Sequence, residues 1–253
     1  MNIKMIVTDL DNTLLRHDKT VSEYTADVFK RIRERGVLLA FATARDFRFV
    51  TEYVTPLTGI TPDILIADNG ALARQNGKDL YIKTIPNAIV NQLMPHFESV
   101  RNISNGNTYY LSGEIADGHW SIGISETIVT DFADAIDNDA FFVAGIAGSR
   151  LLPFVELNPD IRAATYSDVD FVTVVHHEAT KLNALMAVQN TLGFENDNIA
   201  VFGDDYSDIE MLSSYKHSVA VANAIDECKA VAKYICDAND DDGVAKWLEA
   251  FVL

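Results

Sequence analysis

The chain has 253 residues, 48% of them hydrophobic and 23% charged, and a net charge of −17. That length and balance fit a globular protein with one large α/β domain or a core carrying a smaller inserted domain. They exclude a membrane helix, since no stretch approaches the roughly 20 apolar residues required, and the few scattered Lys and Arg exclude a nucleic-acid surface.

In chain order, residues 3–8 (IKMIVT) form an apolar run ending in acidic residues, the pattern of a buried strand that opens onto a loop. The run has no secretory leader pattern, so a cytoplasmic protein is expected. Ser22 can cap a helix running to about Arg35, with Val28, Phe29 and Ile32 as its inner stripe and Gly36 as its stop. Residues 37–42 (VLLAFA) predict a second strand, followed by a helix over 47–53 with Pro56 beyond it. Residues 63–67 (DILIA) predict a third strand, ending in the turn Asp68-Asn69-Gly70. Strands alternating with helices predict a parallel sheet, and strands apolar throughout predict helices on both faces.

From about residue 83 the pattern changes. Alternation at 108–111 and 119–124, with Ser112-Gly113 and Asp117-Gly118, predicts antiparallel hairpins. A helix over 126–136, an apolar run over 140–147 and a strand over 169–175 follow, which together predict an α+β insertion. The parallel pattern then returns: a helix over 181–192, a strand at 199–202 (IAVF) and a helix from Ser207. A strand at 218–221, a helix over 224–231, a strand at Tyr234-Ile235 and a helix over 243–251 complete it. Cys228 and Cys236 lack CxxC spacing and are expected to be reduced.

Four clusters stand at C-terminal ends of predicted core strands, where open α/β sheets bind ligands. Asp9 and Asp11, two apart as the chain leaves the first strand, can serve as nucleophile and general acid/base. The acid role needs surroundings that raise the carboxyl of Asp11 above the ordinary value of about 3.9; the bland reading is a solvated acidic turn. Thr43, Ala44 and Arg45 follow the second strand, where a hydroxyl and backbone N–H groups can hold phosphate or simply cap a helix. Lys181 can neutralise phosphate and orient an aspartate, or be an ordinary lysine. Asp204 and Asp208, four apart at a helix start, can share a face and hold Mg²⁺, or merely favour the helix N-terminus. The pair His176-His177 lacks a third ligand at zinc spacing. His119-Trp120 and Tyr109-Tyr110 can line a substrate cavity or fill the core of the insertion.

The joint order of these clusters resembles the haloacid dehalogenase (HAD) superfamily. DLDNTLL (9–15) resembles its DxDxT motif and GDDYSDIEML (203–212) its GDxxND motif. IADNGA (66–71), AVANA (220–224), Lys229 and DDGVA (241–245) resemble the Cof-type sugar-phosphatase branch. The resemblance implies a Rossmann-like core with a parallel sheet, residues 1–82 and 178–253, and a mobile α/β cap over 83–177, inserted after the third strand with hinges near 83–86 and 178–180. It implies a Mg²⁺-dependent phosphatase for a small phosphorylated metabolite, foremost a sugar phosphate. Asp9 would be the nucleophile and a metal ligand; Asp11 would be the acid/base and ligate metal through its backbone carbonyl. Asp204 and Asp208 would complete the metal site, and Thr43, Lys181 and Ser207 would bind phosphate. Ala44 stands where the branch usually has Gly, Ser207 where it has Asn, and Asn12 where Gly is frequent. Pyridoxal phosphate and flavin mononucleotide are also open as substrates, and the chain is expected as a monomer or small homo-oligomer without nucleic-acid or membrane partners.

Two other readings compete. A phosphomutase of phosphomannomutase type would need several cap arginines for a second phosphate, and the insertion offers Arg101, Arg150 and Arg162. A non-enzymatic phosphosugar-sensing module predicts loss of a reacting group, whereas every one is present.

Overall fold

The computed structural model describes residues 1–106, 108–113, 125–134 and 136–253. Its strands, in chain order, are β1 (Met5–Thr8), β2 (Leu38–Ala42), β3 (Ile64–Ala67), β4 (Leu72–Gln75), β5 (Lys78–Ile82), β6 (Phe97–Ser104) and β7 (Tyr109–Ser112). There follow β8 (Thr127–Thr130), β9 (Phe142–Ala147), β10 (Ile161–Ala164), β11 (Val172–His176), β12 (Ile199–Gly203), β13 (His217–Val221) and β14 (Tyr234–Cys236).

Eight of these strands form the core sheet, in the order β14-β13-β12-β1-β2-β3-β4-β5. Every neighbouring pair from β14 to β3 is parallel. Strands β1, β3 and β12 are buried along their whole length, as the continuous apolar runs require of strands covered on both faces. From β1 the chain builds outward through β2 and β3, and its last third builds the other way through β12, β13 and β14. The order therefore reverses at β1, and the crevice at the C-terminal ends of β1, β2 and β12 is where such a sheet leaves room for a ligand.

Local chemistry sets the helices around this sheet. The helix Glu23–Glu34 starts where Ser22 accepts a hydrogen bond from the Thr25 N–H, and it buries Val28, Phe29 and Ile32. Thr180 caps Lys181–Leu192 by accepting from the Asn183 N–H, and Gly193 ends that helix in a left-handed conformation. The last helix is Gly243–Phe251.

Residues between β5 and the helix Lys181–Leu192 form a second, six-stranded sheet in the order β10-β11-β9-β6-β7-β8. Its pairs are antiparallel except β7 with β8. The helices Asn87–Leu93 and Leu151–Glu156 bury Val90, Leu93, Leu151 and Val155 in a cluster with Ile103, Val143 and Val174. A separate apolar cluster joins Tyr109, Phe142 and Val175 of this sheet to Ala71 and Leu72 of the core. The arrangement is a Rossmann-like α/β core with an α+β cap.

Three local expectations fail. The segment 126–136 holds no helix among its described residues and contains β8 instead. Thr127, Ile128, Val129 and Thr130 are consecutive β-branched residues, which favour a strand, and Glu126 and Phe132 bracket them with φ of 59° and 57°, outside any right-handed helix. The chain also does not leave the core after β3. It first adds the antiparallel hairpin β4–β5, turning through Asn76-Gly77 with both residues at positive φ. Finally, Pro56 lies inside the helical stretch 47–58, after a π-helical turn at Val50–Val54, and Gly59 ends the stretch at φ 69°. The expected alternation at 119–124 lies outside the described residues, as do His119 and Trp120.

Candidate active site

The loop after β1 delivers Asp9, the loop after β2 delivers Thr43 and Arg45, and the turn after β12 delivers Asp204 and Asp208. Lys181 enters from the first turn of its helix. Asp9, Thr43, Asp204, Lys181 and Asp208 are all buried.

Lys181 is the hub. Its ammonium donates to Asp9 Oδ1 and to Asp208 Oδ1, each at 2.8 Å. Burial opposes its charge, but Asp208 and Asp9 more than offset this and hold it protonated. Asp208 is fully engaged: its Oδ2 also accepts from the backbone N–H groups of Asp204 at 3.1 Å and Asp205 at 3.2 Å. Gly203 makes that fit possible, because a Cβ there would stand 2.5 Å from Asp208 Cβ and Cγ. A similar constraint acts at Gly70, with φ 85°, where a Cβ would lie 2.3 Å from the Thr180 carbonyl group. The DNG turn thus packs directly beneath the start of the lysine helix.

Asp9, Asp204 and Asp208 bring one carboxylate oxygen each within 4.8 Å of one another. Burial pushes Asp9 up to about 7, with Asp208 and Asp11 adding to the rise and Lys181 opposing it. Burial, then Asp9 and Asp208, push Asp204 up to about 9, although Thr13 donates a hydrogen bond to it. One buried ammonium does not balance three buried carboxylates. A hard divalent cation with a preference for carboxylate oxygens fits this donor set. Asp208, with both oxygens already accepting hydrogen bonds, is placed to orient such a site.

Asp11 stands apart from that cluster. Arg45 grips it with two parallel hydrogen bonds, Nε to Oδ2 at 2.8 Å and Nη2 to Oδ1 at 2.9 Å, and Lys19 adds a third at 2.7 Å. Burial works to raise its pKa, but the two cations win and hold it well below the usual carboxylate range. The expected rise therefore does not occur, because neighbouring positive charge outweighs desolvation.

Thr43 Oγ1 accepts from the Arg45 N–H at 3.1 Å, which shapes the loop after β2. Thr43, Lys181 and Ser207 line one cavity of about 280 Å³ with Asp9, Asp11 and Asp204. The structure thus gathers these candidates around one space, with Asp208 behind Lys181 and outside the cavity lining.

Among the described residues, the cap meets the core over that space through several hydrogen bonds. Ser104 donates to buried Asp46 at 2.6 Å, and Asp46 is itself paired with buried Arg48. Tyr166 donates to Asn69 Oδ1 at 2.9 Å, the Ser167 N–H to Asp205 Oδ2 at 3.1 Å, and Asn12 to Asp168 Oδ2 at 3.3 Å. At the junction of the two sheets, Lys83 pairs with Glu178, and Tyr81 donates to the Glu178 carbonyl at 2.8 Å.

Sequence reasoning missed several of these residues. Lys19 sits in a short turn at φ 66° and carries no motif signal. In sequence, Arg45 reads only as a neighbour of the phosphate loop, whereas the structure makes it the partner of Asp11. Asn102 and Phe142 reach the cavity from paired strands β6 and β9, and Tyr166 and Phe171 from the connection between β10 and β11, placements that no local pattern announces.

A family profile described as haloacid dehalogenase-like hydrolase matches residues 6–139 and 154–248. The chain is 26% identical over 264 residues to the 5-amino-6-(5-phospho-D-ribitylamino)uracil phosphatase YitU of Bacillus subtilis, covering 98% of this chain and 97% of that one. It is 25% identical over 257 residues to the 5-amino-6-(5-phospho-D-ribitylamino)uracil phosphatase YbjI of Escherichia coli, covering 96% and 94%. Its fold matches a haloacid dehalogenase-like hydrolase from B. subtilis with a TM-score of 0.83 at 21% identity, over 99% of this chain and 100% of that one. It matches the HAD subclass IIB sugar phosphatase BT4131 with a TM-score of 0.81 at 19% identity, over 98% of each chain. With its profile matched along most of its length, the chain belongs to the haloacid dehalogenase-like hydrolases, in their Cof-type branch.

Proposed function

We propose that the protein is a Mg²⁺-dependent phosphatase that hydrolyses a small phosphorylated metabolite through a phospho-aspartate on Asp9. The observation that carries this reading is the wiring of Asp9: a buried carboxylate at the floor of a capped cavity, oriented by Lys181 and flanked by two further acids.

In this reading Asp9 attacks phosphorus, and Lys181 both aligns the attacking carboxylate and neutralises phosphoryl oxygens. Thr43 and Ser207, on opposite loops, supply hydroxyls to the same oxygens. Asp9, Asp204 and Asp208 would hold or orient Mg²⁺, with the Asp11 carbonyl, and the ion would offset charge on the phosphoryl group. Asp11, held ionised by Arg45 and Lys19, is prepared to act as base for the water that resolves the phospho-aspartate. Its service as acid toward the leaving group requires those cations to turn toward the substrate's charge. The closed cap keeps bulk water from the site while the phosphoryl group moves.

Sugar phosphates, the class named for one structural neighbour, are the starting point for assays. The test is inorganic phosphate release across a panel of phosphorylated metabolites, with Mg²⁺ and with EDTA, using Asp9→Asn as the blank. Release that needs Mg²⁺ and vanishes in the blank supports the reading. Equal release by Asp9→Asn would sink the phospho-aspartate.

A further inference from the structure

The cap forms the ceiling of the cavity, where Tyr109 and Phe142 meet edge to face at 6.4 Å and Tyr166 and Phe171 pack at 5.7 Å. Beside it, the end of β6 meets the turns that follow β2 and β3. A cluster of polar side chains is shut into that seam, and the phosphoryl chemistry does not use it. Asp46, Arg48, Asp68 and Ser104 are each at most 4% exposed. Arg48 grips Asp46 with Nε to Oδ1 at 2.9 Å and Nη2 to Oδ2 at 2.7 Å, and the Ser104 hydroxyl donates to the same Oδ2 at 2.6 Å. The guanidinium is thus already committed to one carboxylate when a second, that of Asp68, faces the pair.

Asp68 is unfavourable twice over. Its backbone is left-handed at φ 52°, the first of three such residues, with Asn69 at 58° and Gly70 at 85°. Neither of its carboxyl oxygens has a partner in good hydrogen-bond geometry, although the Ser104 hydroxyl and the Phe47 N–H lie close enough to favour the anion. Burial, then the charge of Asp46, outweigh them and push its pKa well above the ordinary carboxylate value. An asparagine would suit the same backbone without any charge. What an acid adds at this position is a proton that can leave.

The charged and titratable groups around the turn come from three sides. Arg45, Asp46 and Arg48 follow β2, Glu126 of the cap acts on Arg48, Tyr166 of the cap donates to Asn69, and Lys181 lies behind Gly70. Arg45 and Lys181 are held by aspartates of the cavity floor, so neither serves as a counter-ion to Asp68.

We propose that Asp68 is a positioning residue that ties the cap to a proton, keeping the cap seated on the core while it is protonated and releasing it once ionised. On opening, Ser104 withdraws, water reaches the carboxyl, and its proton passes to solvent; on closing, one proton returns. Closure raises the pKa of Asp68 above its open value, so low pH favours the closed cap. That advantage fades as pH climbs from the ordinary carboxylate value toward the raised one. The proposal concerns the motion of the cap and stands apart from the phosphatase reading.

The experiment follows amide hydrogen exchange, without substrate, in peptides covering the Asp68 turn and the end of β6, between about pH 5.5 and 8.5, a range above the ordinary aspartate value of about 3.9. Parent and Asp68→Asn share the intrinsic exchange rates of β6 at each pH, so their ratio reads opening alone. Loss of one proton per opening should make that ratio rise by up to about tenfold per pH unit. Asp46→Asn removes the neighbouring charge and leaves Arg48 able to pair with an ionised Asp68, so it should flatten the pH response as well. A role in folding alone would speed exchange by one factor at every pH, and in β1 too. That result, or a pH response that survives in either variant, would overturn the proposal.

Discussion

The floor and the ceiling of the cavity are built on opposite principles. The floor is an electrostatic network in which most charged groups are fixed by others: Lys181 by two aspartates, Asp208 by a lysine and two backbone amides, Asp11 by an arginine and a lysine, while Asp204 is held by the Thr13 hydroxyl. The ceiling is a set of rings in van der Waals and edge contact, with hydrogen bonds among its own polar atoms. In the proposed function, reaction belongs to the first and selection to the second. Removing one member of a network leaves other charges uncompensated, whereas trimming one ring leaves its neighbours largely as they were. Perturbations of the floor should therefore be severe and general, and those of the ceiling mild and substrate-dependent.

The largest effect is expected at Asp9, the proposed nucleophile. Asp9→Asn should lower phosphate release by roughly 10³-fold or more for every substrate, with an unchanged circular-dichroism spectrum. Removal of Mg²⁺ by EDTA should abolish turnover and also lower the melting temperature, since an ion bound by the folded state alone stabilises it; differential scanning fluorimetry with and without Mg²⁺ checks this. Lys181→Met breaks a buried network and leaves Asp9 and Asp208 without their cation. It should cost about 3–5 kcal/mol in chemical denaturation, and more of that loss should be restored by Mg²⁺ than in the parent protein. Gly203→Ala drives a methyl into Asp208 and should cost about 1–3 kcal/mol while lowering kcat. The mildest change is Ser104→Ala. It removes one hydrogen bond between cap and core, worth about 1 kcal/mol, and should raise KM several-fold with little change in kcat. A kcat loss there as deep as that of Asp9→Asn would erase the division between floor and ceiling.

The same division governs what the sequence discloses. Floor residues sit at the ends of short buried strands, and period and composition mark those strands directly: 3–8, 37–42 and 199–202 each end where a reacting group begins. The ion pair between Asp11 and Arg45 was not readable, since it joins two loops 34 positions apart and depends on how β1 and β2 pair. The hairpin β4–β5 carries no clear signal because Leu72–Gln75 and Lys78–Ile82 are short, and Arg74, Gln75, Lys78 and Asp79 at their turn break the apolar continuity that marks their neighbours. The helix Asn87–Leu93 has too few turns to display a period. At 127–130 four consecutive β-branched residues form a strand within the span expected to be a helix. Tyr109 could be assigned either to the cap core or to the cavity wall, and it serves both: nearly buried among apolar neighbours, it still presents an edge to the cavity.

The clasp of Lys83 with Glu178 has a consequence that concerns neither reaction nor selection. The chain departs from the core sheet and rejoins it through the same narrow neck, so the core sees the whole excursion as one closed loop. The entropy of closing such a loop grows only logarithmically, by about 0.6 kcal/mol for each doubling of its length. Growth, shrinkage or wholesale exchange of the segment beyond the neck therefore scarcely taxes the sheet beneath it. An ancestral floor could in this way be fitted with new ceilings, one after another, without relearning how to fold.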